Sequence, residues 1–128
     1  MEMLTEIDAV RQYPGERKRR WFTSPQMDLF VWMGRGQAPV KFQLCYDKDQ
    51  NEKALTWSKA GGYTHENVDP GEPVGLGYKK AAVLVADGAV DANDLAVTFA
   101  MASANLPNRI SRFVLVKLRR HPSYGKSV

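Results

Sequence analysis

The chain has 128 residues, 44% of them apolar and 25% charged, with a formal net charge of +4. That length can enclose a core without staples, and a single cysteine, Cys45, excludes an internal disulfide framework and fits a reducing compartment. No apolar run approaches the ~20 residues of a membrane-spanning helix, and the acidic, polar N-terminus lacks the order of a signal peptide. The expectation is a single cytoplasmic domain over residues 1–128 with no membrane association.

In chain order, residues 1–15 contain Pro14-Gly15 and little periodicity, and read as a loose arm or a short turn of helix. Arg17–Ser24 is rich in Trp, Phe and Thr and stops at Pro25, as a strand does. Met27–Met33 alternates, with Met27, Leu29, Val31 and Met33 on one face and Asp28, Phe30 and Trp32 on the other. Gly34-Arg35-Gly36 breaks the chain. Val40–Asp47 carries the cleanest alternation, Val40, Phe42, Leu44 and Tyr46 against Lys41, Gln43, Cys45 and Asp47, the pattern of a half-buried antiparallel strand. The polar run Asp47–Lys53 predicts a hairpin loop, and Ala54–Lys59 the return strand.

Residues 60–78 form a long Gly/Pro-rich stretch that predicts a loop. Lys80–Ala86 is a continuous apolar run, typical of a central strand. From Asp91 to Leu106, the residues Leu95, Phe99, Ala102 and Leu106 share one helical face, with Asp91 as N-cap and Pro107 as stop. The last segment, "RISRFVLVKLRR", is a strand by its β-branched content or a helix by its stripe Ile110, Val114 and Leu118, and leans to strand. The sum is an α+β fold: an antiparallel sheet of five to six strands, one main helix (residues about 91–106) packed on one face, and a C-terminal strand or helix.

Two regions carry chemistry. The first joins the basic run from Arg17 to Arg20 to Trp21, Phe30 and Trp32. Alternation places Arg17, Arg19 and Trp21 on one face, and an open sheet face with Phe30, Trp32 and Trp57 would offer flat rings for stacking and arginines for anions. The candidate binding surface is therefore Arg17, Arg19, Arg20, Trp21, Phe30, Trp32 and Trp57. The same rings are also good core residues, and charge on an edge strand also blocks unwanted pairing. The second region, "YTHENVDPGE", gathers His65, Glu66, Asp69 and Glu72, a set that could ligate a divalent cation, with His65 as a possible general base.

Weaker catalytic candidates are Cys45, which needs a base within reach, and Asp87, which follows an apolar strand but belongs to an Asp-Gly turn. Tyr78 or Asp87 would complete a pocket around His65. The glycine-rich "PGEPVGLG" lacks the Lys-Ser/Thr of a phosphate loop. A helix-turn-helix reading of residues 101–120, with Arg109, Arg112, Arg119 and Arg120 in one arc, requires the last segment to be a helix.

Residues 107–128 carry Arg109, Arg112, Lys117, Arg119, Arg120 and Lys126 and no acid, while acids outnumber bases in residues 61–106, so charge is polarised along the chain. The leading functional expectation is a small non-enzymatic binding or assembly module, taking a protein partner or a second copy as a homodimer, with no cofactor. The alternatives are single-stranded nucleic-acid (RNA) binding through the same face, and a small metal-dependent or acid–base enzyme built on His65–Glu72.

Overall fold

Alternating apolar residues need a sheet that buries one face, and the chain answers by folding each strand back on its predecessor. The structure, a computed structural model, describes residues 2–8, 12–69, 83–86 and 90–125. Its strands are β1 (Thr5–Ile7), β2 (Lys18–Thr23), β3 (Met27–Met33), β4 (Pro39–Tyr46), β5 (Lys53–Ser58), β6 (Gly62–Asp69) and β7 (Val83–Ala86). They form one 7-stranded sheet in sequence order, every neighbouring pair antiparallel. Two helices follow, α1 (Ala92–Ala102) and α2 (Asn108–Arg119), giving the expected α+β arrangement.

Cross-strand pairs assign the faces. Phe22 opposes Leu29, Val31 opposes Phe42, Leu44 opposes Leu55, and Trp57 opposes Phe42 and Tyr63. The buried members of this set join Leu95, Phe99 and Ala102 of α1 and Ile110, Val114 and Leu118 of α2 in one cluster. Each fully buried Leu or Phe there contributes ~1.5–3 kcal/mol. The Tyr63 hydroxyl donates to the Lys117 carbonyl at 2.6 Å, tying β6 to α2. Leu4 N–H donates to the Ala102 carbonyl at 2.9 Å, tying the residue before β1 to the end of α1.

Four segments depart from the reading of the sequence. The N-terminal arm holds a short strand, Thr5–Ile7, paired to Trp21–Thr23. Much of the expected Gly/Pro-rich loop is strand: residues 62–69 form β6, of which residues 62–67 pair with the full length of β5. The polar side chains of Tyr63-Thr64-His65-Glu66-Asn67 hid an alternation that the backbone ladder enforces. The apolar run expected as a central strand lies last in the strand order, as β7. The C-terminal segment is α2. As a strand, it would place Arg112 on the face of Ile110, Val114 and Leu118; as a helix it buries those three and leaves Arg112 exposed.

The main helix begins as expected, the Asp91 carboxylate accepting from Asp94 N–H at 3.0 Å. Pro107 then N-caps α2, its carbonyl accepting from Ile110 and Ser111 N–H.

The antiparallel order also gathers basic residues at one end of the sheet, while the other end, with Lys48 and Lys53 among its acids, carries both signs. Arg17 and Lys18 at the start of β2, Arg35 after β3 and Lys41 near the start of β4 share one end of the sheet. Arg109 of α2 joins them, its Nη1 donating to the carbonyls of Gly36 at 2.8 Å and Gln37 at 3.1 Å. Asp47 and Asp49 after β4 and Glu52 before β5 share the other end, where Asp47 and Asp94 line one small cavity.

Candidate binding face

The face turned away from the helices carries a second, smaller cluster of Phe30, Cys45, Ala54 and Val68, with Trp21 and Trp32 half-buried against it. Neither helix contributes to that cluster. Its rows follow from the register. Trp21 opposes Phe30, and their rings stack with centroids 5.7 Å apart and planes at 18°. One step along the strands, Arg19 opposes Trp32, which opposes Lys41. The Lys41 ammonium lies 4.6 Å from the centre of the Trp32 ring. The Arg19 guanidinium lies 5.7 Å from the Phe30 ring and 5.2 Å from the Tyr13 ring. Gln12 pins the backbone there, donating to the Arg19 carbonyl at 2.8 Å and accepting from Arg19 N–H at 2.9 Å, as a neighbouring strand would.

Of the nominated surface, the structure thus brings together Arg19, Trp21, Phe30 and Trp32. Phe30 is only 8% exposed and serves as the floor beneath Trp21. Arg17 is exposed just before β2. Arg20 points to the opposite face, in a two-toothed bond to Glu6 at 2.7 and 2.8 Å that lowers the Glu6 pKa, with its guanidinium 5.4 Å from the Phe22 ring. Trp57 is on the helix face, edge-on to Phe113 at 5.7 Å, with the Lys117 ammonium 4.0 Å from its ring. The hairpin pairing of Phe42 with Trp57 decides this, and the sequence alone does not set it. Lys41 and Tyr13, which the sequence reading passed over, belong to the face. For Lys41 the signal was its shared alternation with Cys45 across the turn from Trp32.

A carboxylate anchors the face from below. Asp28, 1% exposed, accepts from the Trp21 indole, the Thr23 hydroxyl and the Lys48 ammonium. Cys45 lies two residues from Gln43 on this face and is 2% exposed, a packed thiol.

Within the His65–Glu72 set, the structure separates the two residues whose side chains it describes. His65 and Glu66 are neighbours on a strand and so point to opposite faces. Asp69 ends β6; Glu72, Tyr78 and Asp87 lie outside the described residues. Among the described residues, no group of three His, Cys, Asp or Glu side chains is placed to hold a metal. His65 instead turns toward the helix side, hydrogen-bonded through Nε2 to the Tyr46 hydroxyl. The second histidine, His121, packs edge-on to Tyr63 with centroids 4.9 Å apart. Burial, and then the positive potential of His65, hold His121 below its usual pKa. Burial pushes the Tyr63 pKa up. The cavity beside Tyr46, bounded by Gln26, Asp94 and Thr98, measures about 120 Å³, room for a few waters rather than a substrate of any size.

No family model, curated protein or solved structure matches the chain. Among the described residues, no helix is long and apolar enough to cross a membrane.

Proposed function

We propose that this chain is a non-enzymatic binding module whose contact surface is the helix-free sheet face centred on Trp21 and Trp32. One observation carries the reading. Two indoles stay half-exposed on a face that neither helix joins, each held in a fixed pose: Trp21 by Asp28 and Phe30, Trp32 by Lys41. Rigid aromatic rings with a guanidinium beside them are the side chains that dominate contact energy in recognition surfaces. Holding them in place beforehand lowers the entropy lost on binding.

The test follows the three indole N–H signals by NMR, first in a dilution series and then during titration with mixed-sequence single-stranded RNA. Trp57, under α2, is the internal reference. Movement of Trp21 and Trp32 with Trp57 still supports the reading. Silence of all three in both series overturns it.

A second reading, acid–base chemistry on the helix face, draws on the Tyr46–His65 bond and on the nearness of both histidines. Neither histidine lines the small cavity beside Tyr46.

A further inference from the structure

Resting on that reading, we infer that the partner is a single-stranded nucleic acid, its backbone lying along the row Arg19–Trp32–Lys41 and its bases stacking on Trp21 and Trp32. The first ground is charge. That row crosses three strands with two cations and no carboxylate. Arg17 and Arg35 extend it at the same end of the sheet, both exposed. On the same face Asp28 is buried and bonded to Lys48, Trp21 and Thr23, and Glu66, paired with Ala54, lies on β6, two strands beyond Lys41.

The second ground is shape. The row lies flat on a sheet, about 4.8 Å from strand to strand, and nothing in it projects as a groove-reading helix would. Flat rings set in a sheet engage bases that are already unpaired, and cations beside them take the phosphates. At Trp32 the two functions meet, because the Lys41 ammonium sits against the indole itself.

The third ground separates this partner from a second copy of the chain. A two-fold dimer through this face would set the patch on itself. Arg17, Arg19, Arg35 and Lys41 of both copies would then be gathered into one interface, and like charges brought together across an interface are repelled. An anionic polymer meets the same four residues with the opposite sign.

The experiment measures binding of a labelled mixed-sequence 12-nucleotide RNA by fluorescence anisotropy at low and high salt, with sedimentation of the protein alone alongside. The wild type, Lys41→Gln, Arg19→Gln, Trp32→Leu and, as a control cation on the exposed side of α2, Arg112→Gln are compared. The expected result is affinity that falls with salt, and a salt slope reduced by roughly 0.7 for each phosphate contact that Lys41→Gln or Arg19→Gln removes. Trp32→Leu should weaken binding roughly five- to a hundredfold, and Arg112→Gln should leave it within twofold. If Trp32→Leu does not fold, Lys41→Gln decides alone. Equal losses in Arg112→Gln and Lys41→Gln, equal binding of a duplex of the same length, or equal binding of poly-glutamate overturn the inference. No binding at low salt also overturns it. Sedimentation then separates the two claims: a dimer lost in Trp32→Leu keeps the binding module with a second copy as partner, and a monomer with silent indoles removes both.

Discussion

The Trp21 indole Nε1 donates to Asp28 Oδ1 at 3.1 Å, and the same oxygen accepts the Thr23 hydroxyl at 2.6 Å and the Lys48 ammonium at 3.2 Å. A buried carboxylate therefore orients an aromatic ring on the outer face of the sheet and links the β2–β3 hairpin to the loop after β4. Asp28→Ala would leave an ammonium, a hydroxyl and an indole N–H without their acceptor. The expected loss is ~2–4 kcal/mol of stability, with Asp28→Asn losing less because its amide oxygen still accepts. Urea denaturation measures it, and the Trp21 N–H resonance should move in whatever fraction stays folded. A loss below ~0.5 kcal/mol, the range of ordinary surface changes, would show that the carboxylate anchors nothing.

Gly34 closes the β3–β4 turn, its N–H donating to the Ala38 carbonyl at 2.6 Å. A Cβ at Gly34 would sit 2.8 Å from Val40 Cγ1, a short valine methyl with little freedom to withdraw. Gly34→Ala should cost ~1–3 kcal/mol. Gly34→Ala with Val40→Ala should recover part of it, which a double-mutant cycle reads directly.

His121 accepts from Ser123 N–H through Nδ1 at 3.0 Å, a bond open only to the neutral ring. Its pKa lies below the usual 6.5, first through burial and then through His65; Tyr63 packs on it, and Tyr63 in turn feels the charge of Arg120. The folded state then binds fewer protons than the unfolded state between the lowered value and 6.5. Stability from this group is complete above about pH 6.5 and falls as pH drops through the folded pKa. Denaturation midpoints at pH 7.5 and pH 5 should differ more for the wild type than for His121→Gln.

Glu6 carries the opposite polarity of the same linkage. The hydrogen bond from Arg20, and then its charge, hold the Glu6 pKa below 4.5. The stabilisation is present above that value and disappears as pH falls through the folded pKa. Both side chains are partly exposed, at 33% for Glu6 and 23% for Arg20, so solvent screens the pair. Glu6→Gln should lose less than ~1 kcal/mol at pH 7, less again in high salt, and progressively less as pH falls below 4.5.

The strongly alternating strands were legible in the sequence because each buries one face: Met27–Met33 appears at its expected bounds, and the expected Val40–Asp47 appears as Pro39–Tyr46. The shared face of Phe30 and Trp32 followed from the same two-residue period, as did that of Arg19 and Trp21, but that the two sets share one side is set by the β2–β3 pairing of Trp21 with Phe30. Trp57 was not placeable, because its face depends on the count of residues in the loop between Tyr46 and Lys53, which pair. β6 was hidden for another reason: His65 and Tyr63 are polar-tipped residues that satisfy their tips with Tyr46 and the Lys117 carbonyl, so a strand face could be half-buried without being apolar. α2 was masked by β-branched residues whose local preference for strand is outweighed by burial of a single helical stripe.

A sheet whose strands pair only with their sequence neighbours can assemble hairpin by hairpin, with short loop closures preceding the pairings from β2 to β6. The helices enter late in the sequence and have nothing to pack on until Leu29, Phe42 and Leu55 are aligned. Time should therefore divide the molecule as space does. Tightening or straining the turn at Gly34 should alter how fast the protein folds, whereas Val114→Ala or Leu118→Ala should chiefly alter how fast it comes apart. The persistence of the native state would then be governed by α2, while its arrival is governed by the hairpin that presents Trp32.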